Sequence, residues 1–235
     1  MRSGIFASGF VLKYFMTTIA ENIALIEKRI AMAARAQGRD PANVTLIAVA
    51  KQQPEDRIAA ALAAGQRVFG ENRVQDAQKR WAERRLLYPH LQLHLIGPLQ
   101  TNKIAAAVAL FDVIHTLDRE KLADGLRAEM IRQGKTVRAL VQVNTGAEPQ
   151  KSGVAVADLP RLLGHCRRIQ LPVSGLMCIP PVNEPPEAHF KLLRDLAKTH
   201  DLAHLSMGMS ADYEHAVACG ATLVRIGSGV FGARE

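Results

Sequence analysis

Val44-Thr-Leu-Ile-Ala-Val-Ala-Lys51-Gln-Gln-Pro54 is the stretch on which the fold turns. Val44 to Ala50 has the length and composition of a buried strand, and the chain after Pro54 takes up helical spacing. Between them stands a lysine. A charged amine at the end of an apolar strand is costly unless it is exposed, paired or chemically used.

The same unit recurs to the C-terminus. Strand-like runs follow at Arg67–Gly70, Leu91–Ile96, Asp112–Leu117, Val137–Val143, Pro172–Ile179, His204–Met207 and Thr222–Ile226. The intervening segments read as helices over Pro54–Ala64, Arg73–Leu87, Asn102–Leu110, Arg119–Gln133, Val156–Ile169, Pro186–Thr199 and Asp212–Cys219. Strict alternation of this kind means parallel strands with helical crossovers. Eight units favour closure into a single (β/α)8 barrel of the TIM type, which leaves no edge strand, over an open doubly wound sheet. An extra helix, apolar at Ile19, Ile23, Ile26 and Ile30, precedes the first strand and could cover the barrel floor or pack outside it.

The chain has 235 residues, 48% of them hydrophobic, which suits one barrel domain over residues 17–235. Residues 1–16 read as a disordered extension or a start set too early. They carry only a weak apolar patch and no signal-peptide pattern. The net charge of +8 raises nucleic acid as a partner. The basic residues (Arg73, Lys79, Arg80, Arg84, Arg85, Arg127, Arg132, Lys135 and Arg138) are instead scattered among acids on helices, as solvated faces would be. Three distant cysteines with no C-x-x-C fit a reducing cytoplasm better than a disulfide framework or a zinc site. No run approaches the ~18 apolar residues of a membrane span.

In such a barrel the chemistry sits at the C-terminal ends of the strands. Lys51 is there on the first. The seventh run leads to Ser206-Met-Gly-Met-Ser210, and the eighth to Arg225-Ile-Gly-Ser-Gly229. Small residues at these two ends, next to helix starts, suit a phosphate, since backbone N–H groups approach closely and hydroxyls donate. The alternative is that Ser210 is a helix N-cap and the glycines serve turns. A lysine facing a phosphate cradle is the arrangement that holds pyridoxal 5'-phosphate. Arg225 shares the inward face with Gly227 and could reach the pyridine nitrogen, or be a salt-bridged interior arginine. Gly146 to Ser152 lacks the glycine and the helix of a P-loop. His90 and His94 lie in an extended run, where a spacing of four does not make a metal face.

The chain resembles the pyridoxal phosphate homeostasis proteins, also called the YggS/PROSC family. The resemblance rests on Ala48-Val-Ala-Lys51, Phe69-Gly-Glu-Asn-Arg-Val-Gln75, His94-Leu-Ile-Gly-Pro-Leu-Gln-Thr-Asn-Lys103, Lys151-Ser-Gly153, Leu205-Ser-Met-Gly-Met-Ser-Ala-Asp212 and Val224-Arg-Ile-Gly227. It implies an alanine-racemase-like barrel with pyridoxal phosphate on Lys51. It further implies phosphate contacts from Ser210, Gly227 and Ser228, Arg225 on the ring nitrogen, and Asn72 lining the site. Gln52-Gln53 depart from the usual Thr-Lys after the lysine.

The racemases of this fold carry a second domain, for which the 235 residues leave no room, and a racemase needs an acid–base group on each face of its substrate. No second group is evident. The expectation is therefore a monomeric, cytoplasmic cofactor-binding protein that controls supply, with pyridoxal-phosphate-dependent apo-enzymes as recipients, no nucleic acid or membrane partner, and no efficient catalysis. A small racemase of weak or narrow activity is the alternative.

Overall fold

The computed structural model describes residues 18–232. The strands are β1 (Thr45–Val49), β2 (Val68–Glu71), β3 (Gln92–Leu95), β4 (Val113–Leu117), β5 (Arg138–Asn144), β6 (Val154–Ala155), β7 (Val173–Met177), β8 (His204–Ser206) and β9 (Leu223–Ile226). All pairings are parallel. β1 to β5 neighbour one another in order, β5 pairs with β7, and β7, β8, β9 and β1 complete the ring. The two-residue β6 pairs only with the end of β5. Eight strands thus close into the expected barrel, and the lysine-bearing β1 lies beside β9.

The helices are α1 (Ile19–Arg35), α2 (Glu55–Ala63), α3 (Val74–Trp81), α4 (Arg84–Leu87), α5 (Ile104–Leu110), α6 (Glu120–Gln133), α7 (Leu159–Arg168), α8 (Pro186–Thr199), α9 (Tyr213–Ala218) and α10 (Ser228–Phe231). The strands are apolar on both faces because both are covered. Ile47, Val113, Leu140, Met177 and Leu223 pack together within the barrel, whereas Leu46, Ala48, Val224 and Ile226 belong to the larger core under the helices. α1 begins with a capping box in which Thr18 and Glu21 satisfy each other's backbone N–H groups. Its buried stripe (Ile23, Ile26, Ile30 and Ala34) packs outside the barrel against α2, α9 and α10, which decides between the two placements open for it.

Three readings need correction. The helix read over Arg73–Leu87 breaks at Ala82-Glu83 into α3 and α4. Both residues are good helix formers, so tertiary packing makes the break: Trp81 is fully buried, with its ring 4.6 Å from Phe69. β6 and α10 are too short to leave a periodic signal. The basic residues are not merely solvated. Arg85 forks onto Asp112 at 2.8 and 2.9 Å, Arg127 donates to the Ile169 carbonyl, and Lys135 donates to that of Ala109. Arg80 is buried further, as shown below. The proposed extension over residues 1–16 lies outside the described residues.

Among the described residues no helix is long and apolar enough to cross a membrane, and no cluster of three His, Cys, Asp or Glu could hold a metal. The three cysteines are free and buried. Burial pushes the Cys166 thiol up to about 11 and the Cys178 thiol up to about 12. A thiol reagent at pH 8 should therefore leave the native protein almost unmodified and label three thiols once it is unfolded. Fast native labelling at any of the three would contradict this burial.

Candidate functional site

Lys51 stands just past the end of β1, half-buried, and pairs with no carboxylate among the described residues. Its turn is tightly held. The Ala50 N–H donates to the Gly70 carbonyl at 2.9 Å, and the Gln53 N–H closes back on Ala50 at 3.1 Å. Gln52 takes a left-handed φ of 57° to make the reversal, a conformation uncommon for a residue with a side chain. One guanidinium fixes the result. Arg80, from α3, donates to the Ala50 carbonyl at 2.8 Å, the Gln53 carbonyl at 3.0 Å, Glu71 at 2.8 Å and Glu55 at 2.9 Å. Glu71 also accepts from the Trp81 indole at 2.9 Å and is 1% exposed. Burial raises its carboxyl above the ordinary range, against the pull of Trp81 and Arg80.

β1 and β9 pair with Ile47 opposite Arg225 and Ala48 opposite Ile226, so Gly227 continues alongside Val49. A Cβ on Gly227 would sit 3.6 Å from that of Val49. The loops after β8 and β9 meet here. Ser210 is not the N-cap that ordinary helix chemistry would make it. Asp212 takes that position, and the Ser210 hydroxyl instead accepts from the Gly229 N–H across a long 3.4 Å. At Gly229 a Cβ would lie 2.8 Å from Ile226, so only glycine brings the backbone this close. Ile26 of α1 packs on the same point. α9 and α10 have six and four residues, too few for a strong dipole, so an anion here would rely on hydroxyls and backbone N–H groups.

Arg225 is buried in the barrel, and no acid pairs with it among the described residues. It donates to Ser206 Oγ and, at 3.0 Å, to the Cys178 carbonyl. Of the two readings open for it, the salt-bridged one is therefore excluded. Behind it runs a line that the sequence reading missed. Ser206 Oγ is 2.8 Å from His115 Nδ1, and His115 Nε2 is 2.8 Å from His94 Nδ1. The signal was present: each is a polar residue inside an apolar strand run, at inward parity with Arg225. His94 is thus neither a metal ligand nor a partner of His90.

Asn72 is placed differently from the other candidates. It lines a cleft of about 660 Å³ with Arg73, Gln75, Gln100 and Lys103, where Gly97 packs so closely that a Cβ would lie 2.2 Å from the Asn72 carbonyl oxygen. A second cleft, of about 330 Å³, opens between Ile96, Thr116, Gln142, Asn144 and Ile179 at the barrel mouth. At its rim the Lys151 ammonium pairs with Glu148, and Gly146 to Ser152 leads to β6 with no helix directly after the lysine.

Lys51, Ser210, Gly227, Ser228 and Arg225 therefore gather on the β1, β8 and β9 side. A buried cation without an acid lies below, and a weakly closed pair of loops lies above. That donor set fits a ligand bearing both a phosphate and a ring acceptor. Residues 18–235 match the model for the alanine racemase N-terminal domain. The chain is 44% identical to the pyridoxal phosphate homeostasis protein of Pseudomonas aeruginosa, over 94% of this chain and 97% of that one. The Escherichia coli protein of the same name is 38% identical over 94% and 98%. This chain belongs to the pyridoxal phosphate homeostasis protein family. Among solved structures, PipY of Synechococcus elongatus, determined with pyridoxal phosphate bound, superposes with a TM-score of 0.78 at 37% identity, covering 92% of this chain and all of that one. Alanine racemase from Acinetobacter baumannii, at 20% identity and a TM-score of 0.68, shares the fold and extends well beyond it, since 61% of its length is matched.

Proposed function

We propose that this chain binds pyridoxal 5'-phosphate as a Schiff base on Lys51 and acts in cytoplasmic supply and homeostasis of that cofactor. What carries the reading is the convergence of Lys51, the Ser210–Gly229 loop contact and the acid-free Arg225 on one side of the barrel. The bound group supplies an aldehyde that an amine can capture and a ring that can withdraw electrons. Ser210, Ser228 and the Gly227 backbone would bind the phosphate in place of the long Ser210–Gly229 bond, and Asn72 would line the approach. Arg225 would donate to the ring nitrogen while keeping its own proton, which leaves that nitrogen unprotonated and the ring a weak electron sink. Lys51 serves one face of the ring. Lys151, at the rim of the mouth, is held by Glu148. The protein therefore carries and releases its cofactor without efficient catalysis, as a monomer, with apo-enzymes as recipients.

The test is reduction of the purified, cofactor-loaded protein with borohydride, followed by peptide mapping. Label on Lys51, absent in Lys51→Ala, is expected. A protein that stays colourless with added cofactor would sink the proposal, and amino-acid racemisation at about 1 per second or faster would overturn its non-catalytic part.

A further inference from the structure

Arg225, Ser206, His115 and His94 are 5%, 0%, 0% and 2% exposed, and their side chains form one unbroken line across the barrel interior from β9 to β3. Four polar groups in the interior of a barrel, beside a cluster of Ile47, Val113, Leu140, Met177 and Leu223, call for a reason. Arg225 provides one. A guanidinium only donates, and none of its neighbours here supplies an adjacent negative charge. The Asp212 carboxylate acts on it only through space, and burial still lowers its proton affinity.

The line has two proton arrangements. In one, the Ser206 hydroxyl donates to His115 Nδ1, His115 Nε2–H donates to His94 Nδ1, and His94 carries its remaining proton on Nε2. In the other, every proton is reversed, and the Ser206 hydrogen has no acceptor. His94 Nε2 has no partner among the described residues in either arrangement, so the first leaves one buried group unsatisfied and the second leaves two. The charge on Arg225 decides between them. In the first arrangement every dipole turns its negative end toward the cation, and each bond polarises the next in the same sense. In the second the imidazole N–H bonds point at the cation.

We infer that Ser206, His115 and His94 are positioning residues: a hydrogen-bond line of fixed polarity that stabilises Arg225 as a cation and aims it at the bound ring. This rests on the proposed cofactor for its purpose, but not for its geometry. A carboxylate in the place of Ser206 would also stabilise the cation, but would compete for its donors. A neutral line stabilises the charge and leaves N–H bonds available to the ring.

The test has two arms. In the full-length protein with ¹⁵N-labelled histidine, without added cofactor, NMR should show His115 and His94 as neutral rings protonated on Nε2, unchanged from pH 8 to pH 6. His115 protonated on Nδ1 would overturn the inference whatever the protein binds. In the second arm, Ser206→Ala should weaken pyridoxal phosphate binding by about tenfold, the scale for loss of a charge-assisted hydrogen bond. It should also shift the absorption band of the loaded protein and that band's pH profile. His115→Gln, which can still accept from Ser206, should restore more of both than His115→Leu. An unmoved band and pH profile in a folded Ser206→Ala protein would reduce the line to packing and overturn the positioning role. Absence of label on Lys51 with the predicted NMR tautomers would instead refute the cofactor reading and leave the line's polarity standing.

Discussion

Arg80→Ala is expected to destabilise the protein by on the order of 3 kcal/mol at pH 7.5, more than ordinary truncation on a helix surface. The guanidinium is 14% exposed and serves four acceptors. Glu55 is 58% exposed, so its pair contributes little. Glu71 is the important one. At 1% exposure it would keep only the Trp81 indole, with its second oxygen already unpartnered. The Ala50 and Gln53 carbonyls lose their clamp at the same moment, and with it the left-handed turn at Gln52 that aims Lys51. Cofactor binding should weaken alongside stability. Arg80→Lys should rescue little, because an ammonium cannot reach four acceptors held in a guanidinium's fork. Arg80→Ala with Glu71→Leu should recover much of the stability but not the binding. The pH dependence follows from Glu71. Its carboxyl is already raised by burial and rises further without Arg80. The folded variant then takes up a proton where the unfolded chain does not, so the deficit shrinks as pH falls through that raised value toward 4.5. Urea midpoints at pH 7.5 and 5.5 read this directly. A variant within 1 kcal/mol of the parent at both would refute the clamp.

The contrast between Arg80 and Lys51 shows what the sequence could reveal. Lys51 was legible because it interrupts an apolar run, and a charge at the end of a strand requires an explanation. Arg225 was legible for the same reason, with its inward parity shared with Gly227. Arg80 sits in Asp76-Ala-Gln-Lys-Arg80, where a basic residue among polar neighbours is what any solvated helix shows. Its role depends on carbonyls 27 and 30 residues away in sequence, which no local pattern encodes. The barrel itself followed from periodicity because each strand is covered on both faces. The break between α3 and α4 did not, since Ala82-Glu83 favours helix and only the seating of Trp81 ends it. Ser210 shows a third situation. Its residue type fitted both a cap and an anion site, and only the loop geometry separates them.

Stability should fall steeply with acid well before the carboxylates protonate, because of the two histidines in the barrel. Burial lowers His94 from 6.5 to about 3, and lowers His115 well below 6.5. Above pH 6.5 each is neutral whether folded or not and contributes no slope. Below it the unfolded chain takes up protons that the folded barrel refuses, so stability is lost as pH falls, down to the folded value. His94 accounts for about 2 kcal/mol by pH 5, and His115 adds in the same direction. His204, also lowered by burial, adds in the same direction. Glu71 opposes it, gaining stability as pH falls toward 4.5, and Asp112, held down by Arg85 and the Leu93 N–H, loses its contribution only below its ordinary 3.8. The window from pH 6.5 to 5 therefore belongs to the histidines. Urea midpoints should be level from pH 8 to 7 and drop from pH 6.5. In His94→Gln with His115→Gln the drop should largely vanish, even if the double variant starts lower. A flat profile to pH 5 in the parent would mean that the barrel accepts a proton at His94 or His115, placing a second cation on the line that holds Arg225. The same protein would then have to lose its grip on an arginine-bound ring in mild acid, so falling midpoints should accompany an unchanged cofactor dissociation constant, and level midpoints a weakened one.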